Sequence, residues 1–159
     1  MAHDFTELLT RGGFDAAGLS LAPFPLAGDP ERPGALAMVN EWSRAAGMPG
    51  LCDAAVPPLG IIAGDAAGPA AVMWCFESFG CGVAWLEYAM ARPGLGWDAV
   101  ANVLGVLVCA LMASAGKSVD PPGEYHTFRA CGRLANLRVL RRLGFVHAGN
   151  LHVFVSCPR

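Results

Sequence analysis

The chain has 159 residues, of which 54% are apolar and only 15% charged, and its formal net charge is −2. That length fits one domain, and the apolar share excludes a disordered chain. The near-neutral balance provides no global field for drawing nucleic acid or an anionic membrane.

In chain order, the sequence reads as a single domain over 1–159 whose first 34 residues are an irregular N-terminal segment. Thr6–Thr10 fits a short helix and Leu19–Pro23 a short strand. From Ala22 to Gly34 four prolines favour loop. Ala35–Ala46 has a helical pattern, with Leu36, Val39 and Trp42 on one face and Gly47 as the stop. After Pro57-Pro58 the pattern turns to strands: Leu59–Ala63, Ala70–Glu77 and Val83–Met90, separated by a Gly64–Gly68 turn and a Ser78–Gly82 turn. They form an antiparallel meander.

The loop Arg92-Pro93-Gly94-Leu95-Gly96 leads into Ala99–Gly116. This run is apolar enough to span a membrane at about 18 residues. Asn102, the preceding Asp98 and the many small residues favour instead a helix buried in a fold, with no membrane partner. Tyr125–Ala130 reads as a strand, Leu134–Leu143 as a basic helix stopped by Gly144, and Phe145–His147 with Leu151–Cys157 as a closing hairpin. Crossovers through helices demand parallel neighbours in the later part of the sheet. The fold class is therefore α/β, with a mixed, mostly antiparallel sheet and helices on both faces.

Cys52, Cys75, Cys81, Cys109, Cys131 and Cys157 include no C-x-x-C pair, so the ligand spacing of a structural zinc site is missing. The start Met1-Ala2-His3-Asp4-Phe5 has neither a basic leader nor an apolar signal core. Reduced thiols and a cytoplasmic location are the expectation.

The element order, together with Asn136-Leu137-Arg138-Val139-Leu140-Arg141-Arg142-Leu143-Gly144-Phe145, resembles the GNAT-superfamily N-acetyltransferases and their late N…LYEKLGF segment. More narrowly, Trp42, Pro57-Pro58-Leu59-Gly60, and Ala84-Trp85-Leu86-Glu87 followed by Pro93 resemble short phage- or prophage-type GNAT-like proteins. The resemblance spans about residues 35–157. It implies a three-layer α/β/α sandwich and transfer of an acyl group from acetyl-CoA to a small-molecule or peptide amine. It also implies cofactor contacts from Tyr88, Ala89, Met90, Arg92, Gly94, Leu95, Gly96, Trp97 and Asn136, mostly through backbone amides at a helix start.

The sequence departs from that pattern in three places. The family's R/Q-x-x-G-x-G/A loop is one residue short here, and Pro93 lacks an amide donor. Asp98 is expected to cap the helix, where its carboxylate would oppose phosphate. The position of the family's proton-donating Tyr is occupied by Leu140.

Glu87 is the candidate catalytic base. A carboxylate among Val83, Trp85 and Ala89 would have its pKa raised by desolvation, as taking a proton from an ammonium requires. The alternative is a Glu hydrogen-bonded to backbone, Tyr88 or Arg92. Arg129, Arg133, Arg138, Arg141 and Arg142 either contact an anion or form the wet face of a helix. Without interleaved aromatics they make no base-stacking surface. His147 and His152 face each other only across a two-residue Gly149-Asn150 turn, and with His126 or Cys157 they do not make a metal site. A non-catalytic binding or assembly module, using an apolar patch for a protein partner or a second copy, is the competing expectation.

Overall fold

The computed structural model describes residues 3–78, 81–117, 125, 127–131, 137–147 and 153–156. Its seven-stranded sheet has the order β1-β2-β3-β4-β5-β7-β6. The strands are β1 (Ser20–Pro23), β2 (Leu59–Asp65), β3 (Gly68–Ser78), β4 (Val83–Ala91), β5 (Thr127–Cys131), β6 (Val146–His147) and β7 (Val153–Ser156). All neighbouring pairs are antiparallel except β4 and β5. The helices are α1 (Phe5–Gly12), α2 (Arg32–Ala45), α3 (Trp97–Ser114) and α4 (Leu137–Arg142), with a 3-10 turn at Asp53–Ala55.

The N-terminal segment is more regular than its composition suggests. Asp4 caps α1 by accepting from the Glu7 amide at 2.8 Å, Gly13 ends it at φ +59, and β1 pairs with β2 as the sheet's edge strand. Helix α2 starts at Arg32 rather than Ala35, because Pro33 in the first turn loses only an amide that has no helical partner there. Arg32 then reaches Asp53 Oδ1 at 2.5 Å and the Pro25 carbonyl at 2.6 Å, tying the proline-rich loop to the helix. The meander turn is tighter than Gly64–Gly68, since β2 runs on to Asp65.

Two cores sandwich the sheet. On one face α3 lies over β2, β3 and β4, flanked by α1 and α4. Its residues Val103–Ala113 are all buried. By length and composition α3 could cross a membrane, but its apolar surface faces protein. Full burial of Val106, Leu107 and Leu111 contributes about 1.5–3 kcal/mol per side chain. Gly105 is needed within this helix because a Cβ there would overlap the Phe14 ring. On the other face Val39 and Trp42 of α2 pack on Val72, Trp74 and Met90, with Phe24 edge-on to Trp74 at 4.8 Å.

His147 stands opposite Phe154, not His152. Its expected pairing with His152 needed a hairpin centred between Gly149 and Asn150, and the observed register is centred one residue later. Residues 148–152 lie outside the described ones.

Candidate active site

The β4–β5 ladder runs from Val83 opposite Thr127 to Leu86 opposite Ala130 and stops there. Glu87 is the first β4 residue beyond it. On the other side, Trp74 pairs with Glu87 and Val72 with Met90, so Tyr88 and Ala89 together oppose Met73. This is a β-bulge, which inserts one extra residue and re-aims those that follow. Tyr88 carries it at φ +52, the one positive φ of a non-glycine among the described residues. A tyrosine in this region is strained by about 1–2 kcal/mol.

The bulge corrects the expected surroundings of Glu87. Ala84, Leu86, Ala89 and Ala91 pack toward α3, whereas Tyr88 and Met90 pack on the α2 side. Ala89 therefore does not share the face of Val83, Trp85 and Glu87, and Tyr88 does. Strand periodicity alone assigns both residues the other way.

Glu87 is half-buried, and burial alone pushes its carboxyl pKa up. Its carboxylate has no hydrogen-bond or ion-pair partner among the described residues, so neither Tyr88 nor Arg92 satisfies it. A desolvated carboxylate that stays accessible is suited to accept a proton.

Past Ala91 the chain turns through Arg92–Gly96 into α3. Gly94 has φ +87 and open space at its Cβ position, and a Cβ on Gly96 would also meet nothing within 4 Å. Gly96 is the N-cap residue, and no side chain caps the helix. Asp98 lies in the first turn without bonding those amides, contrary to the expected cap. Val100 makes the first helical bond, to the Gly96 carbonyl at 2.9 Å. The amides of Trp97, Asp98 and Ala99 thus remain available at the positive end of an 18-residue helix. An anion fits that position, with exposed Asp98 opposing it. Trp97 is 76% exposed beside it.

Arg92 is otherwise engaged. Its guanidinium holds Asp65 through Nη2–Oδ2 at 2.7 Å and Nη1–Oδ1 at 3.3 Å, and reaches the Pro69 carbonyl at 3.0 Å. The Arg92 amide bonds the Ala70 carbonyl at 2.7 Å. The pair holds the Asp65 carboxyl below its ordinary range. Arg92 clamps the β2–β3 turn to the end of β4. Met90 and Leu95 have their side chains against the two cores, which leaves only their backbones for a ligand. Asn136 lies outside the described residues.

Leu140 is 4% exposed and packed in the α3 core, so this position supplies neither a proton nor a cleft wall. The arginine stripe is divided. Arg142 donates to the Gly13 carbonyl at 2.5 Å and lies over Phe14, while Arg138 and Arg141 are exposed. Arg133, His126, His152 and Cys157 lie outside the described residues, among which no cluster of metal ligands occurs. Cys75 and Cys109 are free and buried, their thiols pushed up to about 12 by desolvation.

Sequence reasoning gave Arg129 no role of its own. It is the β5 residue opposite Trp85, and its guanidinium lies 5.1 Å from the Trp85 ring centroid. Its Nε is buried and makes no hydrogen bond. A cavity of about 420 Å³ between α3 and the β1–β2 edge, lined by Phe5, Leu21, Leu59, Ala110 and Lys117, contains none of these residues.

The mixed sheet with helices on both faces is an α/β fold that matches GNAT acetyltransferases among solved structures. Neither a protein-family model nor a curated protein matches the sequence. Among solved structures it is similar to an N-acetylglutamate synthase from Neisseria gonorrhoeae complexed with coenzyme A and N-acetyl-glutamate. There the TM-score is 0.53 at 10% identity over 91% of this chain, and the chain spans 36% of that protein. It is similar to an aminoglycoside acetyltransferase in complex with coenzyme A, with a TM-score of 0.53 at 17% identity over 87% of this chain and 94% of the other. A Klebsiella pneumoniae protein provisionally named an acyl-CoA N-acyltransferase gives 0.50 at 13% identity, covering 89% and 96%.

Proposed function

We propose that the chain is an acyl-CoA-dependent N-acyltransferase acting in the cytoplasm. The observation that carries this reading is Glu87, desolvated and without a partner among the described residues where the β4–β5 ladder ends, beside a bulge and one short loop from an uncapped helix start. The thioester would supply the acyl group. The amides of Trp97, Asp98 and Ala99 would hold its pyrophosphate, as helix starts do for phosphate. Backbone groups of Tyr88 and Ala89, lacking one-to-one ladder partners, would orient the acyl carbonyl. Glu87 would take the proton from the incoming ammonium and leave a neutral amine to attack the thioester carbonyl. The C–S bond would then break, and the thiolate of coenzyme A would leave as the thiol with the proton shed by the new amide nitrogen. Calorimetric titration with acetyl-CoA tests the reading, and a flat trace at millimolar donor removes it.

A second reading is favoured by the core position of Leu140 and by the commitment of Arg92 to Asp65. In it, the fold is kept as a non-catalytic binding or assembly module, in keeping with the phage- or prophage-type resemblance, with a second copy or another protein as partner. Thioester turnover lost in Glu87→Gln would overturn it.

A further inference from the structure

The other charged arginines with described contacts have oxygen partners. Arg32 meets Asp53, Arg92 meets Asp65, Arg11 meets Glu7, and Arg142 meets the Gly13 carbonyl. Arg129 has none among the described residues. It is half-buried, and its Nε is shut off from both water and protein acceptors. A guanidinium carries five donors and no acceptor, and burying such a group without a partner is costly. The aromatic face of Trp85, 5.1 Å away, offsets part of that cost and restrains the guanidinium beside the ring. That preorganises it for bidentate binding of a carboxylate.

Its placement beside the proposed base is informative. Trp85 and Glu87 share a face of β4, and Arg129 stands level with Trp85 on β5. By strand geometry the Arg129 and Glu87 backbones are about 8 Å apart. Glu87 therefore lies between the Arg92–Gly96 loop on one side and Arg129 on the other. Phe76, opposite Trp85 on β3 and 37% exposed, adds an apolar wall with its edge toward Tyr88. A base, an aromatic floor and a cation without an oxygen partner among the described residues, on one face of the sheet, match a molecule holding an amine, an apolar body and an anion.

We propose that Arg129, stacked on Trp85, is the anion anchor of the acceptor subsite, and that the acceptor is an amino carboxylic acid rather than a polycationic amine. The proposal rests on the acyltransferase reading for the role of Glu87, but the anchor can be tested without turnover. Free α-amino acids and ω-amino acids, each matched with its carboxamide, are titrated calorimetrically into the wild-type chain and into Arg129→Gln and Arg129→Lys. Acetyl-CoA is titrated separately into each protein.

At least one acid is expected to bind about tenfold or more tighter than its amide, the scale of a charge-assisted pair. Arg129→Gln should bring the two within about twofold, and Arg129→Lys should restore part of the preference. Acetyl-CoA affinity should be the same in all three. Equal binding of acids and amides to wild type, no binding by any acid, or a preference that survives Arg129→Gln would each overturn the anchor. Loss of acetyl-CoA binding in wild type with the acid preference intact would instead remove the acyltransferase reading. Near-identical thermal transitions of wild type and Arg129→Lys would keep the result interpretable if Arg129→Gln folds poorly.

Discussion

The exit and the middle of β4 treat charge in opposite ways. At its exit Arg92 is fully engaged by Asp65 and by carbonyls of the β2–β3 turn, so the arginine that resembled a phosphate ligand holds the scaffold together. At its middle Glu87 and the neighbouring Arg129 have no described partner of opposite charge, although both are partly out of water. The satisfied pair costs the fold little. The unsatisfied groups weaken it unless a ligand completes them, and such groups are where function concentrates.

The sharpest way to break this contrast is Glu87→Gln. On the acyltransferase reading it lowers turnover by about 10²-fold or more, measured by thiol release from acetyl-CoA. Wild-type activity should rise with pH through a raised carboxyl value, above the ordinary 4.5, because only the ionised form accepts a proton. The variant should lack that limb. Stability should move the opposite way. The folded state binds the Glu87 proton more tightly than the unfolded state, so ionisation at neutral pH is destabilising and Glu87→Gln should raise Tm. Reduced turnover with a lowered Tm would mark Glu87 as structural.

Arg92→Ala comes next. If Arg92 clamps the turn, Tm falls while the acetyl-CoA Kd changes by less than about threefold. A loss of about tenfold or more, the scale of a lost charge-assisted bond, would return Arg92 to the cofactor site. Gly105→Ala lies outside both regions and calibrates the core. On an open helix the change would gain about 1 kcal/mol, but overlap with Phe14 should reverse the sign to a loss of about 1–3 kcal/mol in denaturant unfolding. The smallest effect is expected from Asp65→Asn. The depressed Asp65 pKa means its ion pair contributes above the ordinary value of 3.8 and is lost as pH falls through the folded value. The Tm gap between wild type and variant should therefore be present at neutral pH and close in acid.

Much of the framework was legible in the residues. The apolar run of α3 and the alternations of β2, β3 and β4 carry their own periodicity, and the turns between them are spelled by glycine. The candidate base was legible too, as a lone acid in an apolar strand. The bulge was not, because Tyr88 is a good strand residue and nothing local announces a left-handed conformation. Arg129 was also illegible, since its isolation depends on which strand lies beside β4, and that parallel pairing joins segments 44 residues apart. The Arg92 ion pair was illegible for the same reason, its partner Asp65 being 27 residues away.

The extra residue at Tyr88–Ala89 gives β4 one residue more than its ladder with β3 uses. Many substitutions there would leave each side chain in its layer. A one-residue deletion there would restore strict alternation with Met90 still opposite Val72 in the α2 layer and Ala91 still opposite Ala71 in the α3 layer, wherever the ladder with β3 held. Between Leu86 and Met90, losing one residue should thus disturb the sheet less than gaining one.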